Sequence, residues 1–195
     1  MTAEGIAAVL AAIDAVNAAD PRRAVLDGKD LPFETAHAER LTRWVLRLDP
    51  AASPALRVAA RGQHVARWKS PRDAYPMDRG GYLRWREDLK KAHADIVGGI
   101  LAEAGFEAAF IERVRSLILK KNIKTDPDAQ TLEDGLCLVF LETQFADLQS
   151  KTPDDKMRDI VRKTWKKMSG KGHAAALALP FTPAQKSFLQ ETLSA

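Results

Sequence analysis

His37, His64, His93 and Asp134 fall on four separate stretches of helical periodicity. Side chains converging from several helices are how helical bundles hold metals. Neutral imidazole combined with carboxylate suits a first-row divalent ion, with Mn, Co, Zn and Fe as the expected candidates. Such an ion activates a water and clamps a phosphate. The expected ligand core is His64, His93 and Asp134, with His37 as a further candidate. Glu133 stands beside Asp134 as the group to orient or deprotonate water. Each residue also has a plainer reading. His37 sits at the edge of a core stripe, His93 reads equally as a satisfied buried histidine, and acids near a helix start are favourable with its dipole.

The densest chemistry lies between Ala59 and Asp95, AARGQHVARWKSPRDAYPMDRGGYLRWREDLKKAHAD. This segment holds nine Arg and Lys against five Asp and Glu, together with both tyrosines of the chain and two of its four tryptophans. Guanidinium groups threaded through aromatic rings suit a flat or anionic ligand. Arg61, Arg67, Arg72, Arg79, Arg86 and Lys90 are the expected phosphate contacts. Tyr75, Tyr82 and Trp85 are the expected stacking surfaces. Arg61, His64, Arg67 and Trp68 share one face if the helix continues through them. Arg72 and Arg79 flank a proline-containing turn and are expected to face the pocket of His64.

The whole chain sets bounds on these readings. Its 195 residues suffice for one domain with a real core. Hydrophobic residues make up 46% and charged residues 29%, and the net charge is +4. That is mildly basic and favours anionic partners without choosing among nucleotides, nucleic acid and phosphorylated metabolites. One cysteine, Cys137, excludes an internal disulfide and a zinc finger, and suits a reducing, cytoplasmic setting. Walker, GxGxxG, HExxH and GxSxG motifs are all absent. No apolar run reaches the roughly 18 residues needed to span a bilayer, so no membrane is expected as a partner.

Periodicity places the candidates on about eight to nine helices of an all-α, single-domain bundle covering residues 1–195. A first helix ends near Asn17, and residues 20–33 read as a polar connector that packs on the core with it. Helices follow over 34–48 and 54–68, the latter N-capped by Ser53 with Pro54 in its first turn. Residues 69–80 read as a packed loop. Further helices are expected over 81–104, 107–121, 132–148, 154–168, 174–179 and 183–193, the last capped by Thr182. The helix bearing Cys137 is apolar nearly all round and should be central. The basic run KTWKKMSGKGH is the plain end of a solvated helix or a phosphate contact.

Two resemblances attach to these residues. His37, a second histidine 27 positions on and Asp134 another 70 on resemble the spacing of HD-domain metal-dependent phosphohydrolases. That likeness implies an all-helical, HD-like fold and hydrolysis of nucleotide phosphate esters. The chain departs at the defining dyad, with Val65 where those proteins carry Asp after the histidine; His93 would replace the missing ligand. The strings AARGQHVARWKSPRDAYPMDRGGYLRWREDLKKAHAD, QTLEDGLCLVFLETQF and RKTWKKMS resemble an uncharacterised family filed as a domain of unknown function. Some of its members carry a glutamyl-tRNA synthetase-like label, which implies features this chain lacks. That family often has tyrosine at the position of His37, which leaves His64, His93, Glu133 and Asp134.

Together these residues lead to a metal-dependent phosphohydrolase acting on a small phosphorylated compound, a nucleotide above all. The rival is a non-catalytic RNA- or nucleotide-binding module using the same arginines and aromatics. A third reading is a helical scaffold with a structural polar cluster.

Overall fold

A computed structural model describes residues 2–194. Within them the chain forms ten α-helices and one two-stranded hairpin. The helices are α1 (Ala3–Asn17), α2 (Phe33–Leu48), α3 (Pro54–Gly62), α4 (Arg79–Glu103) and α5 (Ala108–Ile118). They continue as α6 (Pro127–Thr143), α7 (Phe145–Lys151), α8 (Asp154–Trp165), α9 (Gly170–Leu177) and α10 (Pro183–Ser194). None is long and apolar enough to cross a membrane.

Most helix starts follow from local side chains. Thr2, Ser53, Asp78 and Asp126 each accept a hydrogen bond from a backbone N–H of the first turn. Pro54 and Pro127 occupy first-turn positions where the missing N–H costs nothing. The start of α2 is different. Its N-cap, Pro32, offers no side-chain acceptor. Asp20, from the preceding segment, supplies one instead and accepts from the Glu34 N–H at 3.1 Å.

The all-helical expectation needs one correction. Residues expected as a connector form β1 (Arg23–Leu26) and β2 (Lys29–Pro32), paired antiparallel with Leu26 opposite Lys29. Asp27 and Gly28 take φ of 52° and 75°, the left-handed pair that a two-residue hairpin turn requires. The hairpin is fastened to α2 by Arg43–Asp27 and by Arg40 donating to the Val25 carbonyl.

Helix ends moved as well. The helix expected over 54–68 stops at Gly62, where a Cβ would stand 2.4 Å from Val97 of α4. The chain then turns through Ala66 at φ 56° into a short 3-10 turn at Arg67–Lys69. The next helix begins at Arg79, two residues ahead of its expected start, and α5 spans Ala108–Ile118 rather than 107–121. Helix α6 starts five residues earlier than expected, at Pro127, because Asp126 caps it. It breaks at Gln144, so the expected single helix through Leu148 is two. The helix expected over 154–168 ends at Trp165, and the one expected over 174–179 spans Gly170–Leu177 because Ser169 caps it.

The core lies where α3 packs on α2 and α5, α4 on α5, and α2 on α6. Leu41, Leu56, Leu101, Leu117, Leu138 and Phe145 are sealed within it. Helix α6, expected to be central, buries residues on several sides, from Leu132 to Leu141.

Candidate active site

The turn after α3 is the organising feature. Ala66 is held left-handed by its N–H bond to the Asn17 side chain of α1. A non-glycine residue in that region costs about 1–2 kcal/mol, which the surrounding packing must sustain. The turn places His64 and Arg67 on one side and presents the Val65 carbonyl to α4. There the His93 Nδ1–H donates to Val65 O at 2.8 Å. His93 Nε2 is left as a buried lone pair without a partner. A backbone carbonyl fixing one ring nitrogen while the other stays free is how metal-ligating histidines are oriented.

Three histidines meet at this point. His37 and His64 stack with ring centroids 4.0 Å apart, and His64 and His93 lie 5.9 Å apart. Glu34 joins them, its Oε2 3.8 Å from His64 Nδ1. Glu34 is sealed from solvent, and its other oxygen accepts from Arg22 at 2.7 Å. Arg22 is in turn gripped by Asp20. Glu34 Oε2, His37 Nε2 and His93 Nε2 are all buried without a hydrogen-bond partner. Buried polar atoms normally find partners, so three orphans facing one cluster are a chemical signal. Among the described residues no three His, Cys, Asp or Glu side chains stand in ready coordination geometry.

Burial governs the charge of this cluster. It pushes His37 down to about 3 and His93 to about 4, and holds His64 well below its ordinary 6.5. Arg67 adds repulsion at all three rings. The imidazoles are therefore neutral near pH 7, the form that ligates metals. Burial raises Glu34, against the opposing pull of Arg22.

His37 and His64 line a cleft of about 440 Å³ between α2, the turn after α3, the start of α4, and α6 to α8, while His93 lies in a small recess beside it. Arg67, Arg86, Lys120, Lys163 and Lys167 face it, against the single acid Glu133. Arg67 and Arg86 have no carboxylate partner among the described residues, whereas Lys120 pairs with Glu133 at 2.7 Å. The Arg67 guanidinium lies 4.7 Å over Trp85, and Arg86 lies 5.8 Å over Tyr82 and donates to its hydroxyl. The aromatics thus hold the guanidinium groups in place, a cation–π arrangement. Cys137 also lines the cleft, and burial pushes its thiol up to about 12.

Several expected residues lie elsewhere. Asp134 does not meet the histidines. Its carboxylate accepts from the Ser169 N–H at 2.8 Å, the Ser169 hydroxyl and the Gln130 amide, and so docks the start of α9 onto α6. Gly172 makes room for it, since a Cβ there would stand 2.7 Å from Asp134 Oδ1. Glu133 does reach the cleft. Burial raises its carboxyl, but Lys120, Lys167 and Arg86 outweigh that and hold it below its ordinary value, which makes it a weak proton acceptor. Arg61 does not line the cleft; it pairs with Asp14 of α1. Arg72 donates to the carbonyls of Tyr75, Pro76 and Asp78, so it ties the loop together instead of facing the cleft. Arg79 is exposed and does not line the cleft. The Tyr75 hydroxyl donates to Asp88 and the Trp85 indole to the Ser70 carbonyl, and neither ring lines the cleft. Lys90 pairs with Glu87 beside a small recess under His93. The fourth histidine, His173, stacks on Trp165.

Sequence reasoning missed Glu34. The signal was present: Glu34-Thr35-Ala36-His37 is a Glu-x-x-His pair at i, i+3 on one helix face, a spacing used by carboxylate metal sites in bundles. Lys120 was missed too, because only its left-handed backbone at φ 60° and its bond to Glu133 bring it to the cleft.

Comparison with curated proteins and comparison with solved structures each returned no match. The uncharacterised family expected from the sequence is supported, while neither the synthetase-like label nor the HD likeness gains support. A family model described as "Domain of unknown function (DUF4202)" matches residues 7–189, nearly the whole chain, and the protein belongs to that family.

Proposed function

We propose that the protein is a metal-dependent phosphohydrolase acting on a small phosphorylated compound. The observation that carries this reading is the set of three partnerless buried atoms, on Glu34, His37 and His93, gathered around His64, which with His37 lines a cationic cleft. Glu34, His37, His64 and His93 would hold a divalent transition metal, and Asp134, expected from the sequence, has no part in it. The metal would supply a polarised water and a clamp for phosphate oxygen. The chain does the rest. Arg67 and Arg86 bind the phosphate and balance charge that builds on it. Asp20 and Arg22 hold Glu34 in position. The HD-like reading is retained with His93 in place of the dyad aspartate, and the single free Cys137 suits a cytoplasmic setting.

A non-catalytic nucleotide- or RNA-binding module remains the second reading, favoured by the stacked, uncoordinated posture of His37 and His64. One experiment separates the two. Purified protein is titrated with Mn, Co and Zn while metal content, thermal stability and hydrolysis of p-nitrophenyl phosphate are followed. The proposal requires about one metal per chain, a rise in Tm, and turnover that is lost in Glu34→Gln and His64→Gln. Salt-sensitive RNA binding with neither metal uptake nor turnover would establish the binding module instead.

A further inference from the structure

We infer that the cleft is two-ended, taking a phosphomonoester whose phosphate lies against Arg67 and Arg86 while an apolar or aromatic body lies against α6, α7 and α8. This rests on the reading of the cleft as a phosphate site. The cleft follows one stripe of α6, from Glu133 through Leu136 to Phe140, and reaches Gln144 just past its end. Its wall is ionic at Glu133, where Lys120 and Lys167 gather. Seven residues on, at Phe140, it is apolar, and Leu148 of α7 and Ile160 of α8 line the cleft as well. Seven residues of helix span about 10 Å, the length of a phosphate joined to one planar ring.

Charge accounting fits a monoester. Lys120 and Lys167 are both engaged by Glu133, and Lys163 is engaged by Asp159. Among the described residues Arg67 and Arg86 have no carboxylate partner and therefore remain free to grip the oxygens of a single phosphate. Phe140, Leu148 and Ile160 are each only partly buried although packed against the core, so they keep apolar surface to give. A wholly polar sugar phosphate would leave that surface unused. The aromatic residues expected to stack on a base, Tyr82 and Trp85, instead carry the arginines, which leaves the α6–α8 wall as the surface for the ligand's body.

The test uses non-hydrolysable phosphonates on the full chain, with affinities measured by calorimetry in the presence and absence of manganese. Benzylphosphonate is expected to bind about tenfold more tightly than methylphosphonate, the gain from burying one ring. Leu148→Gln and, independently, Ile160→Thr should cut that ratio below about threefold, in variants whose circular dichroism matches the parent. Arg67→Ala should weaken both phosphonates together and preserve the ratio. Equal affinity for the two compounds, or a ratio untouched by both wall variants, overturns the two-ended cleft while leaving a phosphate site standing. Failure of both phosphonates to bind overturns the phosphate reading itself, and the two-ended cleft with it.

Discussion

Acidification should destabilise the metal-free protein steeply, through its histidines. His37 and His93 are both buried, and their folded values of about 3 and about 4 lie below the ordinary 6.5. Between those limits the unfolded chain binds a proton on each ring that the folded chain refuses. Stability therefore rises with pH across this window and is lost as pH falls through it. Each histidine changes the unfolding free energy by about 1.4 kcal/mol per pH unit while it is charged only in the unfolded chain. From pH 6.5 to pH 5 that is about 2 kcal/mol per ring, or about 4 kcal/mol for the two, within a total stability of about 5–15 kcal/mol. His64, also held well below 6.5, acts in the same direction. The assay is guanidinium unfolding followed by tryptophan fluorescence at pH 7 and pH 5 with chelator present. The comparison is His93→Asn, whose amide can still donate to the Val65 carbonyl but does not titrate. Its loss of stability between the two pH values should be smaller than the parent's by about 2 kcal/mol. Identical losses in parent and variant would show that His93 is not held neutral in the folded state, and would refute the reasoning.

Other substitutions separate structural from functional charges. Asp134→Asn should cost about 1–3 kcal/mol, since it weakens the carboxylate's hold on Ser169, and should leave metal uptake unchanged; loss of metal without loss of stability would return Asp134 to the site. Glu133→Gln should release Lys120 and Lys167 and raise affinity for inorganic phosphate several-fold, whereas abolished turnover with unchanged phosphate affinity would mark Glu133 as the base. Arg72→Ala should speed proteolysis of the loop 70–78 by removing three carbonyl contacts, with phosphate affinity unchanged; a large loss of phosphate affinity would place Arg72 in the cleft after all.

Much of the architecture was legible along the chain because it depends on neighbours in sequence. Caps such as Ser53 and Thr182 and the proline at position 54 act within one turn, so the helices they start were readable. The Asp27-Gly28 turn was equally local, and the hairpin was legible there although it was read as a connector. Three of the four histidines meet in the fold, His37 and His93 from helices and His64 from the turn after α3. The acid beside them was not legible. Asp134 and Glu34 are both buried carboxylates, and the Glu-x-x-His spacing of Glu34 and His37 does not by itself tell which acid faces the rings. Tertiary packing decides it: Ser169 of α9 arrives to take Asp134, while Arg22 takes only one oxygen of Glu34 and leaves the other free. The arginines divide in the same way. Arg61, Arg67, Arg72 and Arg79 look alike in a basic segment, yet Asp14 takes Arg61, and the loop carbonyls take Arg72. Residue type fixes the chemistry a side chain can perform; which partner it meets depends on segments distant in sequence, and so only the folded chain settles it.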